Sequence, residues 1–364
     1  MIRVLGQVNN QPSDFIIPNT PLTSLPRTGV NSPYRVRGLA STLAQAFTDS
    51  TIGTNTYLVG RHNPYILVDT GEGRDYYITV LESALRETTM IANPELPDIS
   101  EIIVTHRHMD HYKGIGSVLS LIRKRWSERN PSPSEPFKPP RLWKFPLEAQ
   151  DLALNNYIKT VPVEDYIQSP SGSPWHDLTD NFKLPVTVNG GDATDSDLAS
   201  IHFLSTPGHT ADSITIYFPL DKALFTADTV LGYGSTIFED LGTYMASLQK
   251  MYNYNETLPE GKPKYIQLYP GHGPVVKDGP NNIKTYIAHR NKREQQIIEV
   301  LSMPSPGDEP WTTWTIVGQI YKDYPQNLWD GAARSLDSHL RKLEKEGRVE
   351  ALGGAGKEVM WELL

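Results

Sequence analysis

The chain has 364 residues, a formal net charge of −8, 38% hydrophobic and 21% charged residues, and no cysteine. That length allows one large domain and a smaller one, and the composition excludes an intrinsically disordered chain. Without cysteine, disulfides and thiolate metal sites are excluded, so any metal must be held by nitrogen and oxygen.

Residues 1–51 read as an irregular arm, because Pro, Asn, Ser and Thr dominate from Asn9 to Ser32. The start, Met1-Ile2-Arg3-Val4-Leu5-Gly6, lacks the apolar stretch of a signal peptide, and no run of about 18 apolar residues occurs. A cytoplasmic chain with no membrane span is therefore expected. Residues 56–59 and 65–69 read as strands separated by the turn-like Gly60-Arg61-His62-Asn63-Pro64. Residues 76–86 have helical spacing, 101–104 form a short buried strand, and 114–125 form the helix after a histidine-rich loop. The Pro-rich, charged stretch 129–146 reads as an exposed loop or insertion. Strands are expected at 182–188, 201–204, 214–217, 222–226 and 266–269, and helices at 241–252 and 282–301. Three prolines and a glycine between Pro304 and Pro310 mark a linker. Beyond it, two helices (316–324 and 332–346) and a hairpin of strands (347–352 and 358–362) suggest a winged helix. The expected division is an arm 1–51, a catalytic domain 52–303 and a winged-helix-like domain 311–364.

Thr105-His106-Arg107-His108-Met109-Asp110-His111 is the densest chemical signal. Three histidines and one aspartate fall within six residues, directly after a strand. Imidazole and carboxylate together suit zinc, and also iron or manganese. Alternation puts His106 and His108 on one side of an extended turn, so Asp110 and His111 can face a second metal. Three further ligand-like residues stand at strand ends: His209 in Thr206-Pro207-Gly208-His209-Thr210, Asp228 in Thr226-Ala227-Asp228-Thr229, and His272 in Pro270-Gly271-His272-Gly273. Asp69, in Val68-Asp69-Thr70-Gly71, is expected to orient a ligand histidine. His62, His176, His202, His289 and His339 are isolated and read as surface or packing residues.

These motifs, in this order, resemble the metallo-β-lactamase superfamily over roughly residues 52–300. The resemblance implies an α/β fold, an αββα sandwich with the site at one edge of its sheets, followed by the small winged-helix domain. It implies that His106, His108 and His209 hold one metal, that Asp110, His111 and His272 hold the other, and that Asp228 bridges them. Two metals so held activate a water and polarise the electrophile. Asp110 is then both a ligand and the candidate to orient the nucleophile or shuttle its proton.

A narrower resemblance lies in Gly53-Thr54-Asn55-Thr56-Tyr57-Leu58-Val59, in Tyr269-Pro270-Gly271-His272-Gly273-Pro274, in His289-Arg290 with Arg293-Glu294, and in 335–347. These resemble the branch that ends in a winged helix, whose members include single-strand endoribonucleases and fungal thioesterases that release polyketides from acyl carrier proteins. Segment 227–241 looks closest to the thioesterases. The sequence departs from that branch in the spacing of about 45 residues before Gly53 and in an extended stretch 126–146.

Eight basic residues (Lys113, Arg123, Lys124, Arg125, Arg129, Lys138, Arg141, Lys144) stand against Glu128 and Glu135, which suits an acidic carrier protein or an RNA backbone alike. Residues 311–364 carry seven basic and eight acidic side chains, so packing or dimerisation is expected there rather than nucleic-acid reading. The expected function is a thioesterase with two zinc ions (manganese or iron fit the same donors), acting on the acyl carrier protein domain of a polyketide synthase. An endoribonuclease is the alternative, and a lactonase or glyoxalase-like enzyme the third reading. A non-enzymatic scaffold is disfavoured because all seven ligand positions are filled. A homodimer is compatible with the sequence. Residues 231–251 are expected to line the pocket, with Phe238, Tyr244 and Met245 in its wall and Tyr233 steadying an oxyanion.

Overall fold

A computed structural model describes residues 2–4, 39–41, 53–87, 92–147, 151–188 and 196–364. Most of the arm expected over 1–51 lies outside the described residues. The chain divides into two compact units. The first comprises Met1–Ser205, Asp212–Thr236 and Pro259–Lys277; the second comprises Thr206–Ala211, Ile237–Leu258 and Asp278–Leu364.

The first unit holds, in chain order, β1 (Ile2–Val4), β2 (Leu39–Ser41), β3 (Thr54–Val59), β4 (Tyr65–Val68), α1 (Asp75–Glu87), β5 (Ile99–Val104), α2 (Met109–Tyr112), α3 (Ile115–Arg129), β6 (Arg141–Lys144), α4 (Leu152–Ile158), β7 (Trp175–Asp177), β8 (Lys183–Pro185), β9 (Ser200–Ser205), β10 (Ile214–Phe218), β11 (Ala223–Ala227) and β12 (Gln267–Pro270). Its first sheet runs β1-β3-β4-β5-β6-β7, with β2 also paired to β3, and its second runs β12-β11-β10-β9-β8. From β4 to β7 the neighbours are parallel, so their C-terminal ends share one edge.

Alternation along the first sheet decides the layering. Leu58, Leu67, Ile102, Val104 and Leu142 pack with Tyr77 and Leu81 of α1, Val118 and Ile122 of α3, and Leu154 and Ile158 of α4. Their chain neighbours Tyr57, Val59, Ile66, Val68, Ile103 and Trp143 pack with Ile201, Phe203, Ile214, Ile216, Phe218, Phe225 and Tyr269 of the second sheet. Burial on both faces explains the unbroken apolar runs Tyr65–Val68 and Ile102–Val104. Each such side chain contributes roughly 1.5–3 kcal/mol on full burial.

The expectation of a loop over 129–146 needs correction, because β6 lies inside it, paired to both β5 and β7. Prolines at 139, 140 and 146 and the charges at its ends hide the strand in the sequence. Those charges are neutralised in place. Arg141 Nε lies 3.0 Å from Glu101 Oε2, and Lys144 Nζ donates to Asp212.

The second unit contains α5 (Leu241–Thr257), α6 (Gly279–Leu301), β13 (Trp311–Thr312), α7 (Thr313–Ile320), α8 (Trp329–Lys345), β14 (Val349–Gly353) and β15 (Met360–Leu363). Asp240 and Asp278 cap α5 and α6, and Thr312 with Thr315 forms a capping box on α7. Leu336, Leu340 and Leu343 form one fully buried stripe on α8, as their spacing predicts. They share a core with Trp311, Ile316, Trp361 and three residues of α6: Ile297, Val300 and Leu301. The sheet has three strands, ordered β13-β15-β14, where the sequence suggested a hairpin. The third strand is two residues long, and its Trp311 pairs with Trp361.

Candidate metal centre

In the first unit the seven-residue motif follows β5, and backbone bonds around it set its turns. Thr70 N donates to His111 O at 2.8 Å, and Ile214 N donates to Thr105 O at 3.1 Å. These turns bring His106 Nε2 within 3.1 Å of His108 Nδ1. The ligand atoms of His106, His108 and Asp228 lie within 4.8 Å of one another, and so do those of Asp110, His111 and His272. Asp228 stands between the groups. Its Oδ2 is 3.8 Å from His106 Nε2 and 3.2 Å from His272 Nε2, while its Oδ1 is 3.6 Å from His111 Nε2.

Asp69 fulfils the expectation that it orients a histidine. It is 2% exposed and accepts from Thr105 N at 2.9 Å and Thr105 Oγ1 at 2.8 Å. Its Oδ2 also lies 2.7 Å from His111 Nδ1. With Nδ1 carrying the proton, Nε2 of His111 is the lone-pair nitrogen. That buried Nε2 closes no hydrogen bond, although Asp110 Oδ2 is 3.3 Å away. A buried ring nitrogen aimed at two carboxylates and bonded to neither is what a cation site requires. Gly271 completes the cradle: a Cβ there would lie 2.2 Å from Asp228 Oδ1 and 2.9 Å from His111 Cε1. The imidazole and carboxylate donors fit divalent metal ions.

The electrostatics favour positive charge. Burial would raise the Asp228 carboxyl, but His111 and His272, protonated when no cation takes their lone pairs, outweigh it and hold its pKa well below the usual range. Asp110 is likewise lowered: burial opposes, and His111, His272 and Thr54 prevail. Burial would lower His272, yet the Asp228 charge and hydrogen bonds to Asp110 and Asp228 push it up to about 10.

Two supporting residues carry no assigned role in the sequence reading. Thr54 Oγ1 donates to Asp110 Oδ2 at 2.6 Å. Asn55 Nδ2 donates to Pro270 O at 3.0 Å and Gly273 O at 2.8 Å, bracing the turn that bears His272. Both lie in Gly53-Thr54-Asn55, and only their pairing across more than fifty residues of chain reveals them. Tyr233 is 48% exposed, and Gly232 N beside it donates to His272 O at 2.9 Å. Most of the basic stretch is paired within this unit: Arg123 with Asp165, Lys124 with Glu128, Arg125 and Arg129 with Asp98, Arg141 with Glu101, and Lys144 with Asp212.

His209 lies on Thr206–Ala211 and so belongs to the second unit. Its Nδ1 is 2.6 Å from Ile237 O. Gly208 adopts φ +132°, and a Cβ there would meet the Tyr244 backbone at 2.4 Å. Tyr244, expected in a pocket wall, is fully buried and stacks on Phe238. Of the isolated histidines, His339 is fully buried in the second unit, His202 contacts the Asp197 carbonyl, and His176 packs on Trp143.

Comparison with known proteins agrees with this geometry. Residues 50–272 match the profile of the metallo-beta-lactamase superfamily, and residues 312–357 that of the beta-lactamase associated winged helix domain. The Beta-lactamase-like protein 2 homolog of Drosophila melanogaster is 33% identical over 307 residues, which cover 84% of this chain and 87% of that protein. The Atrochrysone carboxyl ACP thioesterase of Claviceps purpurea is 27% identical over 312 residues, covering 84% and 79%. The crystal structure of a Beta-lactamase domain protein from Burkholderia ambifaria shares the fold, with a TM-score of 0.55 at 17% identity over 85% of this chain and 87% of that one. No described helix is long and apolar enough to cross a membrane.

Proposed function

Because this chain belongs to the metallo-beta-lactamase superfamily, we propose that it is a dinuclear metal-dependent hydrolase that cleaves an acyl thioester, releasing a polyketide from an acyl carrier protein. The observation that carries the dinuclear reading is the Asp228 carboxylate, which lies within 3.8 Å of nitrogens from both donor groups, His106 in one and His111 and His272 in the other. His106, His108 and His209 would hold one ion, Asp110, His111 and His272 the other, and Asp228 both. His209 fits because its Nδ1–H donates to Ile237 O, which leaves Nε2 for the ion. Zinc is the proposed metal, and manganese or iron fit the same donors.

When bound, such an ion pair supplies an activated water and an electrophilic carbonyl. The chain's residues do the rest. Thr54 fixes Oδ2 of Asp110, so Oδ1 is the oxygen that takes the proton of the attacking water. The water oxygen bonds to the carbonyl carbon, the carbon–sulfur bond breaks, and its electron pair leaves on sulfur. The sulfur takes the proton, giving a carboxylic acid and a thiol. Tyr233 would donate to the oxyanion that forms on the attacked carbonyl.

The substrate choice is supported by the relative named as an ACP thioesterase and by charge. Six of the eight basic residues between Lys113 and Lys144 have carboxylate partners inside the first unit, which leaves little to grip a phosphate backbone. The test is a paired assay on metal-loaded protein, with an acyl-loaded carrier protein in one arm and single-stranded RNA in the other. Thioester cleavage with inert RNA is expected, together with two metals per chain by elemental analysis. RNA cleavage with an inert thioester would overturn the substrate. Tyr233→Phe should lower turnover with both metals retained.

A further inference from the structure

His289-Arg290 and Glu294 belong to a motif that the proposed chemistry leaves unused, and the second unit shows what they touch. Arg290, on α6, is 6% exposed, and its guanidinium carbon lies 4.9 Å from the centre of the Phe238 ring. That ring stacks on Tyr244 with centroids 5.3 Å apart and planes 26° apart. Phe238 directly follows Ile237, whose carbonyl oxygen is 2.6 Å from His209 Nδ1. Ile237 itself is 83% exposed. The next two residues are tied to the histidine's own turn: Glu239 N and Asp240 N donate to Gly208 O at 2.7 and 3.2 Å.

We propose that Arg290 is a positioning residue for His209: by clamping Phe238 it keeps the Ile237 carbonyl on Nδ1, and so presents Nε2 as the metal-facing nitrogen. This rests on the reading of His209 as a ligand. A guanidinium over an aromatic ring is attracted by the ring's quadrupole, and the burial of Arg290 strengthens that attraction. The fixed carbonyl selects one tautomer and one ring orientation, the function that carboxylates or carbonyls serve behind metal-bound histidines. The same helix continues into the winged-helix core. One turn beyond Arg290, Glu294 lies 2.9 Å from Lys342 of α8, and the Arg293 guanidinium sits 4.5 Å from the Tyr321 ring. The C-terminal module thereby braces the helix that steadies a ligand.

The test measures metal affinity rather than turnover. Full-length wild type, His209→Ala, Arg290→Met, Phe238→Leu and the Arg290→Met/Phe238→Leu double variant are titrated with Zn2+ against a competing chelator. Co2+ absorption serves as a second probe of coordination. One of two ions should bind about 10–100-fold more weakly in Arg290→Met, the other being unchanged. Phe238→Leu should show a similar loss, and the double variant no further loss, because the two side chains act in series. Wild-type affinity for both ions in Arg290→Met and Phe238→Leu overturns the positioning role, and so does additive weakening in the double variant. An equal loss of both ions overturns it too, since that reports general damage. If His209→Ala itself keeps both ions, the ligand reading fails instead, and the proposal with it.

Discussion

Replacing Asp69 separates stability from metal binding, because alanine and asparagine fail in different ways. Asp69 is 2% exposed and accepts from Thr105 N, Thr105 Oγ1 and His111 Nδ1 at 2.7–2.9 Å. Asp69→Ala leaves two buried N–H donors without an acceptor, since the Thr105 hydroxyl can turn elsewhere. At about 1–3 kcal/mol each, the loss is about 2–6 kcal/mol. The backbone at φ +58° adds roughly 1 kcal/mol, as alanine tolerates that region poorly. Asp69→Asn keeps an oxygen for Thr105 N and accepts the positive φ. Its Nδ2, however, replaces the oxygen facing His111. The histidine must then accept at Nδ1 and carry its proton on Nε2, the nitrogen aimed at Asp110 and Asp228. Melting with chelator present should therefore show a large loss for alanine and a small one for asparagine. Metal affinity in Asp69→Asn should fall about 10–100-fold at the Asp110–His111–His272 group, equivalent to about 1.4–2.8 kcal/mol. An asparagine variant that binds both ions as tightly as wild type would refute the tautomer argument.

Gly271→Ala should release metal on dialysis and cost about 1–3 kcal/mol in thermal melts, because its Cβ would lie 2.2 Å from Asp228 Oδ1; full metal content in that variant contradicts the cradle. Asp240 is lowered to about 2 by its hydrogen bond to Lys345 and by the Thr243 N–H. Its charge thus stabilises the fold above the ordinary value of 3.8, and that contribution is lost as pH falls toward about 2. The pair is half-exposed, so Asp240→Asn should cost under about 1 kcal/mol at neutral pH, with the gap from wild type closing in acid. Asp240→Ala should cost about 1 kcal/mol more through the lost helix cap, read as urea midpoints across that pH range. Deleting 304–364 strips the partners from Ile297, Val300 and Leu301 on α6. A truncated chain that melts at the wild-type temperature as a monomer would contradict a structural role for the module.

Local pattern made much of this legible. The His106–His111 cluster and the Pro-Gly-His turns state their chemistry within a few residues, and the α8 stripe declares its buried face by spacing alone. What escaped reading depends on partners far along the chain. Arg141 and Lys144 look like loop charges until Glu101 and Asp212 neutralise them at the ends of a central strand. Thr54 and Asn55 are ordinary strand residues until register sets them beside Asp110 and the His272 turn. The compact grouping of α5 and α6 with the C-terminal residues has no local signal either. It follows from which apolar faces find each other, as Ile297 and Leu336 do.

The donors of the first unit come from both of its sheets. His106, Asp110 and His111 follow β5 of one, while Asp228 and His272 follow β11 and β12 of the other. Ions seated among them would rivet the two layers together at the rim of the sandwich. Metal loading would then serve mechanics as well as chemistry: it would resist shear between the sheets, slow opening of that rim, and couple the durability of the fold to metal supply.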